Sequence, residues 1–244
     1  MKFTRLTFTS ILLLLICNSA LAQRTPQASF LLEKSKEYYQ TIGDFEVTAK
    51  YELYRGTKGA HLLDSRDMIT RKKDEFFYTK GANMEYLTTP TGALKINHSQ
   101  KAIEYASNTG QNNWQNAFIN VAEYLNYFAT NKVEELENDF KVTLQTPLLT
   151  QLPYTTIVLY LNKQTFAISK QELLLADRLR YKDNNGQEQE AIKRLVIKIT
   201  ALNSDHFTIS DNALKLSSYL NDLNDKVTLG KSYTAYTLVN RTIK

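Results

Sequence analysis

The sequence is poor in cysteine, glycine and proline, and each shortage excludes a class of protein. Of its 244 residues one is cysteine, 8 are glycine and 4 are proline. So little glycine and proline excludes collagenous and low-complexity chains, and the 43% hydrophobic content is that of a folded domain. The single thiol, Cys17, lies in the first apolar segment. Cleavage after Ala22 would remove it, so we expect neither disulfides nor cysteine metal sites.

Recognisable catalytic and cofactor motifs are also lacking. The three histidines, His61, His98 and His206, are far apart and in no metal-ligand spacing, so we expect no metal. We expect His98 to be a solvated turn residue. No Gly-x-Ser-x-Gly elbow is present, and the run Gly56–Gly59 fits a hairpin turn better than a phosphate loop. We therefore predict no catalytic residue, no cofactor and no enzymatic activity.

Only one apolar stretch is long enough to suggest a membrane-directed segment, and it lies at the N-terminus. Lys2 and Arg5 precede the apolar run Ile11–Ile16, and small residues follow in Ala20-Leu21-Ala22. This order predicts a signal peptide over residues 1–22 and a single exported domain over residues 23–244. We expect a location in the periplasm of a Gram-negative bacterium and no membrane span after cleavage. Lipidation of Cys17 is the lesser alternative, because a large residue precedes it.

An excess of charge of one sign is missing too. Without Lys2 and Arg5 the balance is 28 basic against 25 acidic residues, a net charge of +3. The densest basic run, Arg71-Lys72-Lys73, is followed by Asp74 and Glu75, which would repel a phosphate backbone. We therefore expect no nucleic-acid partner and interpret the run as a solvated strand end or turn.

What the chain does contain is a change of hydrophobic period. Residues 27–41 have helical spacing, and the polar–apolar alternation from Phe45 to Leu53 predicts an antiparallel strand with one buried face. Short strands then recur about every ten residues up to Tyr105. An aromatic stripe predicts a second amphipathic helix from about Asn113 to Ala129, closed by the acidic stretch Glu134–Asp139.

Strand period returns in the second half of the chain. We predict strands over Phe140–Leu144 and Tyr154–Leu161, and hairpins around the turns at residues 162–164 and 183–186. Leu214–Leu220 fits either period, and we interpret it as a strand; Tyr233–Val239 is expected to be the last strand. The fold class is therefore mainly β (α+β): a curved antiparallel sheet or incomplete β-barrel, covered by two or more amphipathic helices.

The aromatic stripe has two interpretations that the sequence leaves open. It is either core packing on the sheet or the lid of an apolar cavity. For the second interpretation, the candidate lipid-binding residues are Trp114, Phe118, Val121, Tyr124, Leu125 and Phe128 on the helix, with Phe45, Val47 and Tyr51 as cavity lining.

The order of elements, together with the run from Arg71 to Tyr105, resembles the periplasmic outer-membrane lipoprotein carriers, the LolA-like and LolB-like family of Bacteroidetes type. The features that match are the aromatic strand Phe76–Tyr78, the strand Met84–Leu87, the hairpin into Leu94–Asn97 and the return strand Ile103–Tyr105. The resemblance implies an incomplete barrel whose cavity receives acyl chains. Because the family's Arg-Pro and Asp-Gly dipeptides are replaced here, no functional residue is carried over.

Three functions follow from these observations. The first is a non-catalytic carrier of lipids or of lipoprotein acyl chains, whose partner is a lipid or an acylated lipoprotein. The second is an envelope assembly or secretion-machine component that uses the same fold as a protein-binding scaffold, with envelope proteins as partners. The third is a hydrolase with an unrecognised site, which paired carboxylates of raised pKa would indicate.

Overall fold

The structure is a computed structural model, and it describes residues 26–59, 61–107, 128, 130–146, 153–204, 207–223 and 226–241. Its first element, helix α1, spans Ala28–Thr41 and confirms the predicted N-terminal helix. The side chains buried along α1 follow helical spacing, which is why this segment packs as one amphipathic face. Gly43 then has a φ of 66°, a conformation that glycine adopts without strain, and it turns the chain into the first strand.

Fourteen strands follow among the described residues. They are β1 Phe45–Arg55, β2 Leu62–Lys73, β3 Phe76–Lys80, β4 Met84–Thr89, β5 Gly92–Asn97, β6 Ala102–Ser107, β7 Thr130–Glu135, β8 Asp139–Gln145, β9 Tyr154–Asn162, β10 Ile168–Lys182, β11 Glu188–Asn203, β12 Leu220–Leu223, β13 Lys226–Leu229 and β14 Thr237–Asn240.

Twelve of these strands form one sheet, in the order β14-β6-β5-β4-β3-β2-β1-β11-β10-β9-β8-β7. All neighbours in it are antiparallel except β14 and β6, which are parallel. Strands β12 and β13 pair separately. The sheet is large, curved and not closed into a barrel, so the predicted mainly-β class, a curved antiparallel sheet with a covering helix, is confirmed.

The two faces of the sheet are covered by different parts of the chain. We call inner the face that carries Phe45, Val47 and Ala49, which packs against α1. The opposite face is the outer one, and on β3–β6 it carries a second cluster that includes Tyr78 and Leu87. Register assigns these faces. Phe45 on β1 is paired with Lys72 on β2, whereas Tyr78 on β3 is paired with the adjacent residue, Arg71. Because paired residues share a face and successive residues alternate, Phe45 and Tyr78 lie on opposite faces.

On the other half of the sheet the outer face is a ladder of paired charges. Lys141 contacts Glu134 at 3.0 Å, Lys170 contacts Glu172 at 2.9 Å, and Lys198 contacts Glu52 at 2.8 Å. Ion pairs of this kind keep a sheet face solvated. The ladder therefore leaves the inner face as the apolar side of this half.

The C-terminal segment, residues 207–241, covers the outer cluster, and there the strand prediction for Leu214–Leu220 is wrong. The chain forms 3-10 turns at Asp211–Leu214 and Leu216–Ser218, and a strand starts only at Leu220. The turns have tight i→i+3 hydrogen bonds, such as that from the Ala213 N–H to the Ser210 carbonyl at 2.9 Å, and Leu214 packs in the outer cluster. Neither the helical period nor the strand period predicts this geometry.

Two further expectations need correction. The last strand is shorter than predicted: Lys231–Tyr233 is a 3-10 turn, and only Thr237–Asn240 is a strand. The acidic stretch does not close a helix, since Glu134 and Glu135 belong to β7 and pair with β8. The predicted helix over 113–129 lies outside the described residues except for Phe128.

The three basic residues at the end of β2 each have a hydrogen-bond or ion-pair partner. Arg71 donates to Glu46 at 2.6 Å, Lys72 donates to the Gly43 carbonyl at 3.0 Å, and Lys73 contacts Asp211 at 3.3 Å. Because the cations are taken up by internal partners, the run does not form a free anion-binding patch. Its interpretation as a strand end is confirmed.

Candidate functional site

The candidate site is the inner layer, the apolar layer between α1 and the inner face of the sheet. Its buried members come from α1, from β1 and strands on both sides of it, and from Phe128 in the connection before β7. They are Ala28, Leu31, Leu32, Tyr39, Phe45, Val47, Ala49, Phe77, Phe128, Val142, Leu144, Ile157, Leu159, Leu161, Ile168 and Ile197.

Helix α1 is fixed over one end of the sheet. The Tyr39 hydroxyl accepts a hydrogen bond from the Ile168 N–H at 3.1 Å, and its ring lies 5.6 Å from that of Phe45. Phe30 meets Phe166, in the β9–β10 turn, edge to face at 6.4 Å. Burial raises the pKa of the Tyr39 hydroxyl well above its ordinary value, so this anchor stays protonated. These contacts are all at the end where β1 and β10 begin, so this end of the layer is closed.

The predicted lining residues divide between the closed and the open part of the layer. Phe45 and Val47 are 0% and 1% exposed and lie in the closed core beneath α1. Tyr51, further along the same strand, is only partly buried. Phe128 is 7% exposed and packs in the same layer. Trp114, Phe118, Val121, Tyr124 and Leu125 lie outside the described residues, so their role stays a prediction.

The inner layer continues beyond α1 as a half-buried apolar surface. Leu173 on β10 pairs with Leu195 on β11, and both are partly exposed, as are Tyr51 and Tyr154. Burial, with a smaller contribution from Tyr86, raises the pKa of Tyr51 to about 12, so this phenol is neutral at every physiological pH. The layer therefore has a closed end beneath α1 and a half-buried apolar end.

Within the described residues, two polar atoms inside the inner layer have no hydrogen-bond partner. One is Nε2 of Gln171, a β10 residue that is 2% exposed; the other is Oγ of Ser35, which is 0% exposed on the buried face of α1. An unpaired buried polar group costs about 1–3 kcal/mol, and most buried polar groups are therefore paired. Sequence reasoning missed Gln171. Only the pairing of β10 with β9 and β11 shows that Gln171 occupies a position whose register partners, Leu159 and Ile197, are apolar.

In contrast to Gln171 and Ser35, the polar side chains around Glu85, under the C-terminal segment, are hydrogen-bonded to one another. The buried Glu85 carboxylate accepts hydrogen bonds from the Tyr78 hydroxyl at 2.8 Å, from Lys80 Nζ at 3.1 Å and from His98 Nε2 at 3.0 Å. The other His98 nitrogen, Nδ1, lies 2.9 Å from the Tyr236 hydroxyl. Since a carboxylate only accepts, His98 donates from Nε2 to Glu85, and its Nδ1 shares a hydrogen bond with the Tyr236 hydroxyl.

The electrostatics of this group are those of a structural network. Burial alone would raise the pKa of the Glu85 carboxyl, but the hydrogen bonds from Tyr78, Lys80 and His98 outweigh burial and lower it. Burial and the Glu85 bond raise the pKa of Tyr78. His98, expected to be a solvated turn residue, is in the turn between β5 and β6 but is tied into this network. The raised carboxyl pKa that would indicate a hydrolase is not what Glu85 shows.

A metal-binding cluster and a membrane-spanning helix are both absent from the described residues. Within them, no three or more His, Cys, Asp or Glu side chains gather where they could hold a metal ion. No helix in the described part of the chain combines the length and the apolarity needed to cross a membrane.

Comparison with known proteins adds a likeness of fold. No protein-family model matches the chain, and no curated protein matches it. A LolA superfamily protein from Nitrosomonas europaea matches with 13% identity and a TM-score of 0.38, over 78% of this chain and 98% of that one. A putative outer membrane lipoprotein-sorting protein domain from Vibrio parahaemolyticus matches with 12% identity and a TM-score of 0.35, over 75% and 97%.

An uncharacterized conserved protein from Thermus thermophilus matches with 9% identity and a TM-score of 0.47, over 88% of this chain and 99% of that one. The first two of these matches are to proteins described as a LolA superfamily protein and as a lipoprotein-sorting protein domain, at 13% and 12% identity. With TM-scores below 0.5, the likeness carries no information on what this chain binds.

Proposed function

We propose that this protein is a non-catalytic periplasmic carrier that binds a lipid, or the acyl chains of a lipoprotein, in the inner layer. The observation that carries the proposal is the partly exposed apolar surface of Tyr51, Tyr154, Leu173 and Leu195, continuous with the closed core under α1. Moving an acyl chain out of water is worth about 0.8 kcal/mol per methylene, roughly 12 kcal/mol for a 16-carbon chain. Such binding needs no catalytic group.

The predicted aromatic stripe supplies the cover in this proposal. It belongs to the connection between β6 and β7, which lie towards opposite edges of the sheet. Phe128, the last residue of the stripe, is buried in the inner layer, which supports an approach of the stripe to this face. The carrier then holds its ligand between the sheet and the residues Trp114, Phe118, Val121, Tyr124 and Leu125.

Mass spectrometry of the chain from Gln23, purified from a bacterial periplasm, tests the proposal. We expect lipid or acylated peptide at near one per chain in the native spectrum, recovered by organic extraction. Phe118→Asp and Leu125→Asp should abolish the adduct while circular dichroism shows an intact fold. Leu136→Asp is the matched control, because Leu136 is 39% exposed in the turn between β7 and β8. An apo mass for the unmodified chain, with no extractable lipid, would contradict the proposal.

A second function, protein binding in an envelope assembly, is favoured by one feature of the sheet. The β10–β11 hairpin extends beyond its neighbours: β1 pairing ends at Lys193 and β9 pairing ends at Leu175. From Arg178 to Lys182, β10 pairs only with Glu188–Ile192 among the described residues. Unpaired strand edges are templates for adding a partner's strand. A stable crosslinked partner with no bound lipid would favour this function over the carrier.

A further inference from the structure

The unpaired amide of Gln171 lies in the middle of the inner layer. Register places Gln171 in one row of side chains that crosses the inner face. The row runs from Val142 on β8 through Leu159 on β9, Gln171 on β10 and Ile197 on β11 to Tyr51 on β1. The neighbours of Gln171 in this row are both apolar, and in the part of the chain that the structure describes its Nε2 has no acceptor.

Water is a poor partner for this donor. A buried water needs two to four polar partners, and the row offers apolar side chains on both sides of Gln171. The hydrogen-bond acceptor that fits is one brought in by a ligand that is otherwise apolar. An acyl chain brings such an acceptor at its head, where the ester or amide linkage has a carbonyl oxygen.

The free carboxylate of a fatty acid fits less well. A buried ion needs a counter-ion, and one neutral amide does not replace it. The cation of the same row, Arg66 on β2, is three strands from Gln171, about 14 Å at the usual strand spacing. It is already paired with Asp64 at 2.7 Å. The surroundings of Gln171 therefore favour a neutral carbonyl over a charged head.

A second observation supports a polar contact inside the layer. Ser35, on the buried face of α1, would normally donate to the carbonyl four residues earlier, but its Oγ has no partner. Helix and sheet thus each present one unpaired polar atom among apolar side chains. Unpaired buried polar atoms are uncommon in native cores, and two in one apolar layer call for an explanation.

We propose that the inner layer recognises the carbonyl of an ester- or amide-linked acyl chain, with Gln171 Nε2 donating a hydrogen bond to the carbonyl oxygen. This inference rests on the proposed carrier function and adds the chemical class of ligand. It distinguishes an esterified or amidated acyl chain from a free fatty acid and from a plain hydrocarbon chain.

Three ligands with the same chain length and different head groups test the role of Gln171. We would measure the affinities of methyl palmitate, hexadecyl methyl ether and palmitate by displacement of a fluorescent apolar dye. The unmodified chain should prefer the ester to the ether about fivefold, the factor that one hydrogen bond of about 1 kcal/mol gives. Gln171→Met should reduce this ratio to about one. Gln164→Met, in the exposed β9–β10 turn, is the control and should retain the preference.

The outcomes separate the two proposals. If the unmodified chain binds none of the three ligands, the carrier function itself is wrong. If it binds ester and ether equally, or if Gln171→Met keeps the preference, the carrier function stands and the role of Gln171 is wrong. Tighter binding of palmitate than of the ester would overturn the choice of a neutral carbonyl.

A measurement on the unmodified chain keeps the test independent of how well the variant folds. Methyl palmitate labelled with carbon-13 at its carbonyl has an infrared stretch that falls in frequency when the oxygen accepts a hydrogen bond. We expect the bound ester to show the lowered frequency. A bound ester whose band stays at its value in a hydrocarbon solvent would contradict the proposal.

Discussion

The two covered regions of the sheet differ in whether their buried polar groups are hydrogen-bonded. Under α1, the inner layer is apolar and leaves two polar atoms, on Ser35 and Gln171, without partners. Under the C-terminal segment, Glu85 and His98 are buried or half-buried, and the hydrogen bonds link them to Tyr78, Lys80 and Tyr236. One sheet thus supports an unsatisfied region on one face and a satisfied region on the other.

The difference indicates which cover is permanent. A paired network in a low-dielectric interior loses several hydrogen bonds when its cover lifts, so the C-terminal segment is held by directional interactions. Apolar contacts are non-directional, and a ligand chain can replace them at little cost. The half-buried end of the inner layer is therefore the region that the proposed carrier would use to exchange a ligand, and the outer cluster is the region that holds the C-terminal segment.

The largest expected effect comes from removing the centre of the network. Glu85→Ala leaves Tyr78 and His98 without their acceptor, and each buried donor left unpaired costs about 1–3 kcal/mol. Urea unfolding should show that loss in the free energy of unfolding. Glu190→Ala is the control, because Glu190 pairs with Arg180 on the exposed hairpin and should cost at most about 1 kcal/mol. Equal losses in the two variants would mean that the network does not hold the C-terminal segment.

A bound ligand should affect the two regions differently. At a free concentration 100 times its dissociation constant, a ligand stabilises the state that binds it by about 2.7 kcal/mol. We expect amide hydrogen exchange to slow at Ile168, whose N–H donates to Tyr39 in the inner layer. Thr237, whose N–H donates to the Lys101 carbonyl, should exchange at its original rate. Equal slowing at both amides would show that the two regions open as one cooperative unit.

Acid should loosen the C-terminal segment before it affects the inner layer. The pKa of the Glu85 carboxyl is lowered in the fold, so its stabilising effect is complete above the ordinary glutamate value of about 4.3. The stabilisation is lost as pH falls through the lower folded value. Exchange at Thr237, corrected for the intrinsic rate, should therefore accelerate below about pH 4 while Ile168 remains protected. In Glu85→Gln this difference between the two amides should no longer depend on pH.

The sequence predicts the parts of this fold that depend on period. Helix α1 and the long strands from Phe45 and Tyr154 have regular patterns of buried side chains, and they lie where expected. Leu214–Leu220 was mispredicted because its 3-10 turns match neither period. Glu85 is on β4 and His98 is in the turn after β5, 13 residues further along the chain, and only the pairing of β4 with β5 brings them together. Gln171 could be recognised only from its register, which places it between Leu159 and Ile197.

The smallest effects give the sharpest comparison, because two variants that each remove one hydroxyl should change stability in opposite directions. Tyr236→Phe removes the hydroxyl that shares a hydrogen bond with His98 and should cost about 1 kcal/mol. Ser35→Ala removes an unpaired buried hydroxyl and introduces a better helix former, so it should stabilise the fold by about 1 kcal/mol. Ser29→Ala, on the exposed side of the same helix, measures the change in helix propensity alone. If Ser35→Ala destabilises the protein, then its hydroxyl is paired in solution and the inner layer is satisfied without a ligand.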